Sequence, residues 1–572
     1  EYDYKHEKML RAFNTLYAEY EIIKNLKFKT TFSYDYTTVK GEKWYDPRTS
    51  NGEDENGEVV KRIREYKKMV WSNTLSYLTT FNNIHHLDFL AGYEIDDTYN
   101  DYLSGEAYNF TTPDKHAISN GMKTVSVGGS DSRYRLVSYL SRLNYDYKNK
   151  YYLGASFRVD GSSRLHRDNR WGTFWSVSGA WRTIEEEFMQ PVKDWLTDLR
   201  IRASYGVNGT LPSDYFGYMG LSSISGGYLE QPGIQMSQIA NPNLKWETNY
   251  NMNIGLDFGF WDRLNFTIEY YTRTTKNLLM DCPVSMTTGF SSYLMNIGEV
   301  KNKGIELTIN STNIKIKDFS WNTTFNLGHN SNKVVKLDGE QTQIVSGTQI
   351  HKVGSSYRTF YVQEFAGINP ETGNPLFYTN ELDENGNYIK EITENSKNAQ
   401  FIPYKHAEPT VNGGISNSLR YKWLDLNFLF SYQFGGYSYD TWAQKTEHGG
   451  YDSYANIPTY YRDSWKKPGD QTNIEVYMPG KSSSVSMHKI TSSRRIHSTD
   501  YFRLKNITFG ITLPKEWTNK INIGNVRIYA SASNLWTWAA YDNYDPEAVS
   551  AGSATQTTPP LKTVTFGLNI NF

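Results

Sequence analysis

The alternation of apolar and polar residues is the clearest signal in this sequence. Between Trp246 and Phe258 every second residue is apolar or aromatic, apart from Thr248, while the positions between them carry Asn, Asp, Glu and Gly. Residues 264–270 repeat the alternation after a turn at 260–263. A period of two predicts β-strands, and two such strands joined by a short turn predict a β-hairpin with one apolar and one polar face.

The same hairpin pattern recurs along the chain, with short turns and long loops in alternation. It predicts about seventeen strands, each near the roughly ten residues that outer-membrane barrel strands contain. The predicted strands cover residues 16–22, 26–36, 71–81, 87–95, 137–145, 153–159, 171–182, 199–207, 246–258, 264–270, 305–309, 319–327, 411–420, 424–434, 502–513, 526–532 and 564–572. Alternating short turns and long loops favour an antiparallel up-and-down sheet. A propeller is not favoured, because the sequence lacks a repeat of roughly 40 to 50 residues.

Long loops are predicted where the alternation is lost. The segment 184–198 is predicted to form a short helical turn rather than a tight hairpin. Turn signals such as Asn369-Pro370 suggest minor structure inside the largest loop. The predicted loops are 39–64, 96–133, 281–299, 333–410 and the stretch of about sixty residues that follows Phe434.

Composition fits a strand-built membrane protein. Aromatic residues make up 15% of the 572 residues and include 45 tyrosines, which suits interfacial girdles, although carbohydrate-binding β-proteins are also rich in such residues. The mean hydropathy of −0.64 does not exclude a membrane location, because barrel strands are only half apolar. We therefore predict an all-β fold, a transmembrane antiparallel up-and-down β-barrel occupying residues 1–572.

Charge, cysteine content and the absence of catalytic motifs argue against several classes of function. The net charge of −1 gives a nucleic-acid partner no electrostatic support. The single cysteine, Cys282, permits no internal disulfide. The sequence contains no GxSxG, HExxH or CxxC motif, and its histidines are scattered, so we predict no catalytic residue, metal site or cofactor.

Several separated phrases carry a family resemblance across essentially the whole chain. They are FRVDGSSRL (157–165), FWSVSGAWR (174–182), LRIRASYGVNG (199–209), NPNLKWETNYNMNIGLDFG (241–259), NIGEVKNKGIEL (296–307), FRLKNITFGITLP (502–514) and SNLWTWAAYDNYDPE (533–547). In this order they resemble the SusC-like TonB-dependent transporters of Bacteroidota outer membranes. The resemblance implies a barrel of 22 strands, an internal plug, energy from the TonB complex, and a SusD-like surface lipoprotein that acts as a lid.

The resemblance implies active import of an oligomeric nutrient across the outer membrane, with a glycan as the first candidate. Import of a peptide, or of a siderophore or cofactor, is the alternative within transport. An adhesive or structural outer-membrane protein that moves nothing is the alternative from another class.

Charges of both signs are predicted on the inner face of the barrel. A mixed lining suits salt bridges to a plug and a weakly charged substrate better than a polyanion. The predicted inner charges are Lys27, Lys29, Asp35, His86, Asp88, Arg142, Arg158, Asp160, Arg200, Arg202, Glu247, Asp257 and Glu306.

An aromatic external loop between residues 435 and 480 holds the candidate substrate contacts. Its rings could stack on sugars, but a self-packed loop or a surface that contacts the lipoprotein would have the same composition. The candidate residues are Tyr437, Tyr439, Trp442, Tyr454, Tyr460 and Trp465.

Three short phrases are predicted to serve barrel geometry rather than ligand contact, because they contain turn or bulge residues: Asp160-Gly161, Asn302 to Gly304, and Asp545-Pro546-Glu547. The last strand ends in an aromatic residue, Phe572, which resembles the signal that the outer-membrane insertion machinery reads.

The strand count leads to a last expectation. Single-chain bacterial barrels have even strand numbers, because both termini lie on one side. About seventeen strands would therefore leave an odd number before Glu1, which is five if the family's 22 applies. We expect those strands and the plug in a separate chain or in a further segment of this one, with the break in an external loop.

Overall fold

The computed structural model describes residues 2–228, 231–337, 342–450, 456–479, 490–521, 523–555 and 557–571. Seventeen strands form one large sheet, here called the main sheet, which confirms the predicted fold class and strand number. The chain divides into two compact units. The first contains residues 1–181, 204–250 and 276–297, and the second contains residues 182–203, 251–275 and 298–572.

The first sixteen strands account for residues up to 336. In chain order they are β1 Tyr4–Ile23, β2 Leu26–Tyr45, β3 Glu58–Phe81, β4 His85–Phe110, β5 Gly121–Tyr147, β6 Tyr151–Ser162, β7 Trp171–Trp181, β8 Leu196–Thr210, β9 Leu221–Tyr228, β10 Gln231–Gln238, β11 Glu247–Phe260, β12 Leu264–Lys276, β13 Leu279–Pro283, β14 Ser292–Asn296, β15 Glu299–Lys315 and β16 Phe319–Lys336.

The remaining strands are mostly short. They are β17 Gln343–Ser346, β18 Gln349–Lys352, β19 Thr359–Gln363, β20 Phe365–Ile368, β21 Pro375–Tyr378, β22 Glu381–Leu382, β23 Tyr388–Ile389, β24 Ile392–Thr393, β25 Phe401–His406, β26 Val411–Tyr421, β27 Leu424–Phe434, β28 Tyr437–Asp440, β29 Ile496–Ser498, β30 Tyr501–Thr512, β31 Asn525–Ala539, β32 Ser553–Ala554 and β33 Thr563–Asn571. The main sheet contains β1–β8, β11, β12, β15, β16, β26, β27, β30, β31 and β33.

In the described parts of the chain, helical structure is limited to short turns. The α-helices described there are α1 Thr441–Thr446 and α2 Lys515–Thr518. Two 3-10 helices, Thr183–Glu185 and Glu187–Val192, confirm the helical turn predicted at 184–198. Further 3-10 helices are Ile118–Asn120, Met286–Thr288, Ser396–Asn398, Thr459–Asp463, Ser493–Arg495, Asn519–Ile521 and Pro546–Ala548. Among the described residues, no helix is long and apolar enough to cross a lipid bilayer.

Tight turns join the strands at one end of the main sheet. Asn82 and Asn83, like Lys148 and Asn149, have positive φ angles of 51° to 57°. Two consecutive left-handed residues are the signature of a type I′ turn, whose twist matches that of the flanking strands. The short turns predicted at these positions are therefore confirmed.

Two of the predicted long loops are wrong. β2 and β3 pair in register through Tyr45 and Glu58, and β4 and β5 pair as far as Phe110 and Gly121. The true loops are 46–57 and 111–120. The alternation fails there because these strands continue beyond the depth at which one face must be apolar, so both faces carry polar residues.

The apolar face of the main sheet is exposed and the polar face is partly buried. In β11, Ile254 and Leu256 are exposed, whereas Asn249 and Asp257 on the other face are buried. This inverts the usual soluble arrangement and fits a sheet whose apolar face meets lipid. Trp246 is an exception to the predicted pattern.

Trp246 lies just before β11 and is buried in an apolar cluster with Leu165, Phe174 and Leu244. Its Nε1 donates a hydrogen bond to the carbonyl of Arg170 at 2.9 Å. The prediction that Trp246 lies on the same face as Ile254 and Leu256 is therefore wrong, because the strand begins only at Glu247 and the indole packs among the loop residues. Apolar burial in this protein is concentrated at the long-loop ends of the strands.

Candidate functional site

The structure separates the candidate aromatic residues into buried and exposed ones. Tyr439 is buried with Phe360 and Val362, and Tyr437 is packed against the same cluster. Trp465 lies against Gly373 and donates a hydrogen bond from Nε1 to the carbonyl of Pro370 at 2.7 Å. These three support the loop itself.

Trp442 and Tyr460 remain exposed, by 41% and 38%. Trp442 lies in the first turn of α1, and Tyr460 lies in the 3-10 helix Thr459–Asp463. Tyr454, the sixth candidate, lies outside the described residues. Two of the candidates therefore keep an exposed ring.

Asp440 organises the loop around Trp442. The strand β28 forms a three-stranded sheet with β29 and β32, and Asp440 ends it as the N-cap of α1. Its fully buried carboxylate accepts hydrogen bonds from the backbone N–H of Ala443 at 2.8 Å and from Tyr541 Oη and Asn543 Nδ2 at 3.0 Å each. A capped short helix thus holds Trp442 in a fixed place.

A cleft of about 210 Å³ opens beside Trp442. It combines an exposed indole with carboxylate, amide and hydroxyl groups, a set that can stack on one face of a ring and hydrogen-bond its edge. Its lining consists of Asp440, Trp442, Asn543, Tyr544, Asp545, Ala548, Ala554, Thr555, Thr557 and Pro559. Burial raises the pKa of Tyr544 to about 12, so its hydroxyl stays protonated at neutral pH.

A second cleft of about 360 Å³ is lined by residues of the segment 546–552. The first cleft is lined by Asp545 and Ala548 of the same part of the chain. The lining of the second cleft includes Arg358, whose Nη1 lies 3.4 Å from the Glu408 carboxylate, together with Gln433 and Glu547. Both signs of charge therefore border this cleft, in contrast to the aromatic lining of the first.

The Asp545-Pro546-Glu547 phrase fastens these loops to the main sheet. Arg503, at the long-loop end of β30, is only 2% exposed and donates to Asp545 Oδ2 at 2.6 Å. It also contacts Glu547, which accepts from Lys505 Nζ at 2.7 Å. Asp545 Oδ1 in turn accepts from the Glu547 backbone N–H at 2.9 Å. These contacts fit a geometric role, but Asp545 also lines the first cleft and Pro546 and Glu547 line the second, so a role in geometry rather than ligand contact stays a prediction.

A second buried ion pair stabilises the segment that follows α1. Glu447 follows α1 and contacts Arg495, which is buried, and Arg494 at 3.6 Å. Burial lowers the pKa of Arg495 to about 10, which still leaves it charged at neutral pH. The Tyr460 hydroxyl donates to Glu447, so this pair also fixes one of the two exposed aromatic residues.

His497 is a buried titratable group of these loops. Its ring stacks on Tyr541 with 3.7 Å between centres and 2° between planes. Burial lowers the pKa of His497 to about 4, an effect to which Arg495 and Arg494 add and which Asp440 opposes. The imidazole is therefore neutral at pH 7.

Many of the predicted inner charges form ion pairs, either across neighbouring strands or along one strand. Lys27 lies 3.1 Å from Glu19, Arg142 lies 3.1 Å from Asp88, and Arg158 lies 2.7 Å from Asp160. In the second unit, Arg200 and Arg202 both lie 3.0 Å from Asp257. The polar face is thus mixed in charge, as predicted, and much of that charge is already balanced within the sheet.

Within the parts of the chain that the structure describes, no group of three or more His, Cys, Asp or Glu side chains could hold a metal ion. Sequence reasoning missed Asp440, which lines the first cleft and caps α1, and it missed Glu447 and Arg503, which support the loops through buried ion pairs. The one local signal was for Asp440, since an aspartate directly before a helical turn is a typical N-cap.

Comparison with known proteins gives consistent matches over the whole chain. The TonB-dependent receptor P3 of Formosa agariphila is 32% identical over 97% of this chain and 57% of that receptor. The TonB-dependent receptor SusC of Bacteroides thetaiotaomicron is 29% identical over 90% of this chain and 51% of its own length. The structure of the RagAB peptide transporter superposes with a TM-score of 0.90 at 26% identity, covering 100% of this chain and 63% of the other.

These matches confirm the SusC-like resemblance, the barrel fold and the outer-membrane location predicted from the sequence. The chain spans between half and two thirds of the length of these relatives. The family described as "TonB dependent receptor-like, beta-barrel" matches residues 2–379, which is most of the chain. This protein belongs to the TonB-dependent receptor-like β-barrel family.

Proposed function

We propose that this chain forms the larger part of an active importer that takes up an oligomeric nutrient, with a glycan as the first candidate. The observation that supports a glycan substrate is the exposed Trp442 beside a cleft bordered by carboxylate, amide and hydroxyl groups. Pyranose rings present an apolar face and a hydroxylated edge, which suits an indole flanked by polar groups. Trp442 and Tyr460 are the proposed substrate contacts.

A peptide is the second candidate, for two reasons. The RagAB neighbour is named as a peptide transporter and shares 26% of its residues with this chain. The cleft with Arg358 and Glu408 presents both signs of charge, which would suit the termini and side chains of a short peptide. A siderophore or cofactor has no comparable observation in its favour.

The proposal includes three partners that follow from the family resemblance. A SusD-like surface lipoprotein would close over the long loops, the TonB complex would supply energy, and a plug segment would fill the barrel. The polar face that this plug would meet carries balanced charges, such as the pairs of Asp257 with Arg200 and Arg202. Such a lining suits many weak polar contacts better than one strong electrostatic attraction.

Deletion of the gene followed by growth on single glycans and on peptides tests the import proposal. Loss of growth on one glycan supports it, and loss on peptides alone selects the second candidate. Unchanged growth on every glycan and peptide would favour an adhesive or structural protein instead. Affinity purification from the outer membrane should recover a SusD-like lipoprotein together with this chain.

The substitution Trp442→Ala tests the cleft, with Trp423→Ala as the matched control. Trp423 is exposed by 44%, close to the 41% of Trp442, but lies in the short turn at the opposite end of β26 and β27. Loss of one stacked ring costs about 1 kcal/mol. The glycan concentration that gives half-maximal uptake should therefore rise about five-fold in W442A. An equal effect of both substitutions would remove Trp442 from the proposed site.

A further inference from the structure

Five strands of the first unit are much longer than a bilayer requires. β1 to β5 contain 20, 20, 24, 26 and 27 residues, whereas about 9 to 11 residues cross the hydrocarbon region. Long loops of bacterial outer-membrane barrels lie outside the cell. The ends of these strands at loops 46–57 and 111–120 therefore extend past the outer leaflet.

A row of carboxylates shows that contact with lipid has ended at residue 65 of β3. Trp71 is exposed on the apolar face of this strand. Nearer the long loop, on the same face, Glu65 lies opposite Asp101, and Asp101 lies opposite Asp131. Charged side chains on the lipid face of a barrel are destabilising, so this row stands outside the hydrocarbon region. The polar face at the same height therefore lines the extracellular mouth of the barrel.

A recess of about 420 Å³ lies on the polar face at this height. Its volume falls within the roughly 300 to 1,000 Å³ of small-ligand sites. Glu65 and Asp101 border it only from the strand backbone, since side chains alternate between the two faces of a strand. The name mouth recess is used below for the six residues whose side chains share the polar face: Thr37 and Val39 of β2, Arg64 and Tyr66 of β3, and Asn100 and Tyr102 of β4.

Arg64 occupies the centre of the mouth recess. It lies opposite Val39 on one neighbouring strand and opposite Tyr102 on the other. Its guanidinium carbon is 5.5 Å from the centre of the Tyr102 ring. Tyr66 is the next residue of β3 on the same face and lies opposite Asn100. One cation, two phenol rings and one amide therefore meet in this recess.

Among the residues that the structure describes, Arg64 forms no ion pair. Neighbouring cations of the same face differ in this respect. Arg11 donates to the Asp35 carboxylate from Nε at 3.0 Å and from Nη2 at 2.7 Å. Lys68 Nζ lies 2.7 Å from the Asp96 carboxylate. The charge of Arg64 is therefore the one available to a ligand of the recess.

The nearest further charges on this face are Arg62 and Glu7, which flank Gly41. A Cβ added to Gly41 would stand 3.7 Å from Glu7 Cγ and 3.9 Å from Arg62 Cβ. Glu7 thus offsets Arg62. In the five polar-face rows that run from Glu7 to Thr15 of β1 and across to β4, four cations face three carboxylates: Arg11, Arg62, Arg64 and Lys68 against Glu7, Asp35 and Asp96.

Asn100 is fixed in the recess by a loop that folds over the same face. Its Nδ2 donates to Tyr215 Oη at 3.3 Å, which leaves the amide oxygen as an acceptor. The Tyr215 ring packs edge-on against Tyr134, with 4.8 Å between centres. The Arg164 guanidinium carbon lies 4.0 Å and 4.4 Å from the centres of the Tyr134 and Tyr215 rings. The wall of the recess is therefore held in place before a ligand arrives.

We propose that the mouth recess binds a uronic acid unit of the imported glycan. The planar fork of Arg64 matches a carboxylate, and Asn100 can bond a sugar hydroxyl. Tyr66 and Tyr102 supply flat rings for the apolar face of a pyranose. This inference rests on the proposed import of a glycan and names its class. One surplus cation suits a chain with acidic units among neutral ones.

An acidic peptide side chain and the plug could also meet Arg64. A peptide carboxylate carries no ring for the two tyrosines, so the sugar uses more of the recess. A plug segment that filled the recess would exclude sugar from it. For this reason the test uses the complete outer-membrane complex, in which the plug is present.

The test is isothermal titration calorimetry on the complete complex in detergent. The probes are oligosaccharides of glucuronoxylan, galacturonan and mannuronan, each compared with its carboxyl-reduced neutral form. The variants are Arg64→Gln and Arg64→Lys, the second of which keeps the charge without the fork. The matched control is Lys61→Gln on the same strand, since Lys61 is 39% exposed and lies 3.1 Å from Glu42 on the opposite face.

We expect at least one of the three acidic probes to bind, and R64Q to weaken that binding about ten-fold, as loss of a hydrogen bond to a charged group does. R64K should bind with intermediate affinity, and K61Q should bind like the unaltered complex. The neutral form should bind more weakly and should not respond to R64Q. If R64Q fails to fold, the comparison of acidic and neutral forms on the unaltered complex decides the question.

Four outcomes would overturn the inference: no acidic probe binds, the neutral forms bind equally well, R64Q binds like the unaltered complex, or K61Q loses as much affinity as R64Q. Binding of an acidic pentapeptide alone would assign the recess to a peptide instead. Growth of the deletion strain tests the import proposal separately. Loss of growth on a neutral glycan, without binding of any acidic probe, would leave import standing and refute the uronic acid site.

Discussion

Glycine and an aromatic residue face each other across neighbouring strands at several points of the main sheet. Gly161 lies opposite Trp171, and Gly413 lies opposite Tyr432. A Cβ added to Gly161 would stand 2.7 Å from the Trp171 ring, and one on Gly413 would stand 2.7 Å from Tyr432 Cζ and closer still to the backbone carbonyl oxygen of Asn326. Glycine at these positions leaves room for a ring to lie flat over the partner strand and cover its backbone.

The substitution Gly413→Val should therefore displace Tyr432 and break the hydrogen bond from its hydroxyl to the carbonyl of Asn326, now 2.8 Å long. Overpacking of this kind costs about 1 to 3 kcal/mol. We expect a lower midpoint in urea unfolding from detergent micelles. Gly179→Val is the control, because the nearest atom to its added Cβ is 3.7 Å away. Equal destabilisation by both would argue that strand propensity matters, not the clash with Tyr432 and the Asn326 carbonyl.

His497 makes the external loops sensitive to acid. Its pKa is lowered by burial to about 4, while an unfolded histidine titrates near 6.5. Between these values the unfolded loop binds more protons than the folded one, so its stability is complete above about pH 6.5 and falls as the pH decreases toward 4. At pH 5 the loss should amount to about 2 kcal/mol.

Hydrogen exchange of residues 437–440, corrected for the intrinsic rate, measures this loss between pH 7 and pH 5. The substitution His497→Phe should remove the pH dependence, since it keeps a ring against Tyr541 but cannot be protonated. If the pH dependence persists in H497F, it must arise from another titratable group. Asp440 is one such group, since its charge acts on His497.

At the scale of elements, the segment 540–562 depends on Arg503. This side chain is buried, and its removal would leave Asp545 and Glu547 without their shared cation. Breaking a buried pair in this way costs about 3 to 5 kcal/mol. We expect R503A to release the segment, so that limited proteolysis cuts it while the strands stay protected.

Arg527→Ala is the control for that substitution. Arg527 of β31 pairs with Asp425 of β27 at 2.6 Å across the intervening strand β30, but both partners are about a quarter exposed. Such a pair contributes about 0 to 1 kcal/mol. Cleavage of the segment 540–562 in R527A to the same extent would contradict the role given to Arg503.

The strands of the main sheet could be predicted because lipid on one face and water on the other impose a period of two. The extensions of β2 to β5 could not, since beyond the lipid both faces are wet and the pattern disappears. The loop residues Tyr439, Trp442 and Trp465 look alike in sequence. Only long-range partners, such as Pro370 for Trp465 and Ile496 for Tyr439, determine which ring is buried.

At the scale of the molecule, the two outermost strands differ from the rest in exposure. Among the described residues, β1 forms its ladder with β2 and β33 forms its ladder with β31. Side chains of β1 are exposed on both faces along almost its whole length, and so are those of β33. The remaining strands of the main sheet are more often half-buried.

An uncovered strand is not stable in lipid. Each backbone N–H or C=O left unpaired in the hydrocarbon region costs several kcal/mol, which is why membrane sheets close on themselves. We therefore propose that further strands, five if the family number of 22 applies, pair with these edges, and that a plug accompanies them. The relatives are long enough to supply both, since this chain covers only 51% to 63% of their length.

The closure proposal predicts what the outer membrane contains. A complex that resists SDS at room temperature should, after boiling, release either a polypeptide heavier than the 66.0 kDa of residues 1–572 or a second polypeptide of the same barrel. Intact-mass analysis under denaturing conditions distinguishes these two forms, and either supports closure by added strands. A 66 kDa species that alone forms a closed, heat-resistant barrel would contradict it, because β1 and β33 would then have to pair with each other. In that case cysteines introduced at facing positions of β1 and β33 should cross-link within one chain.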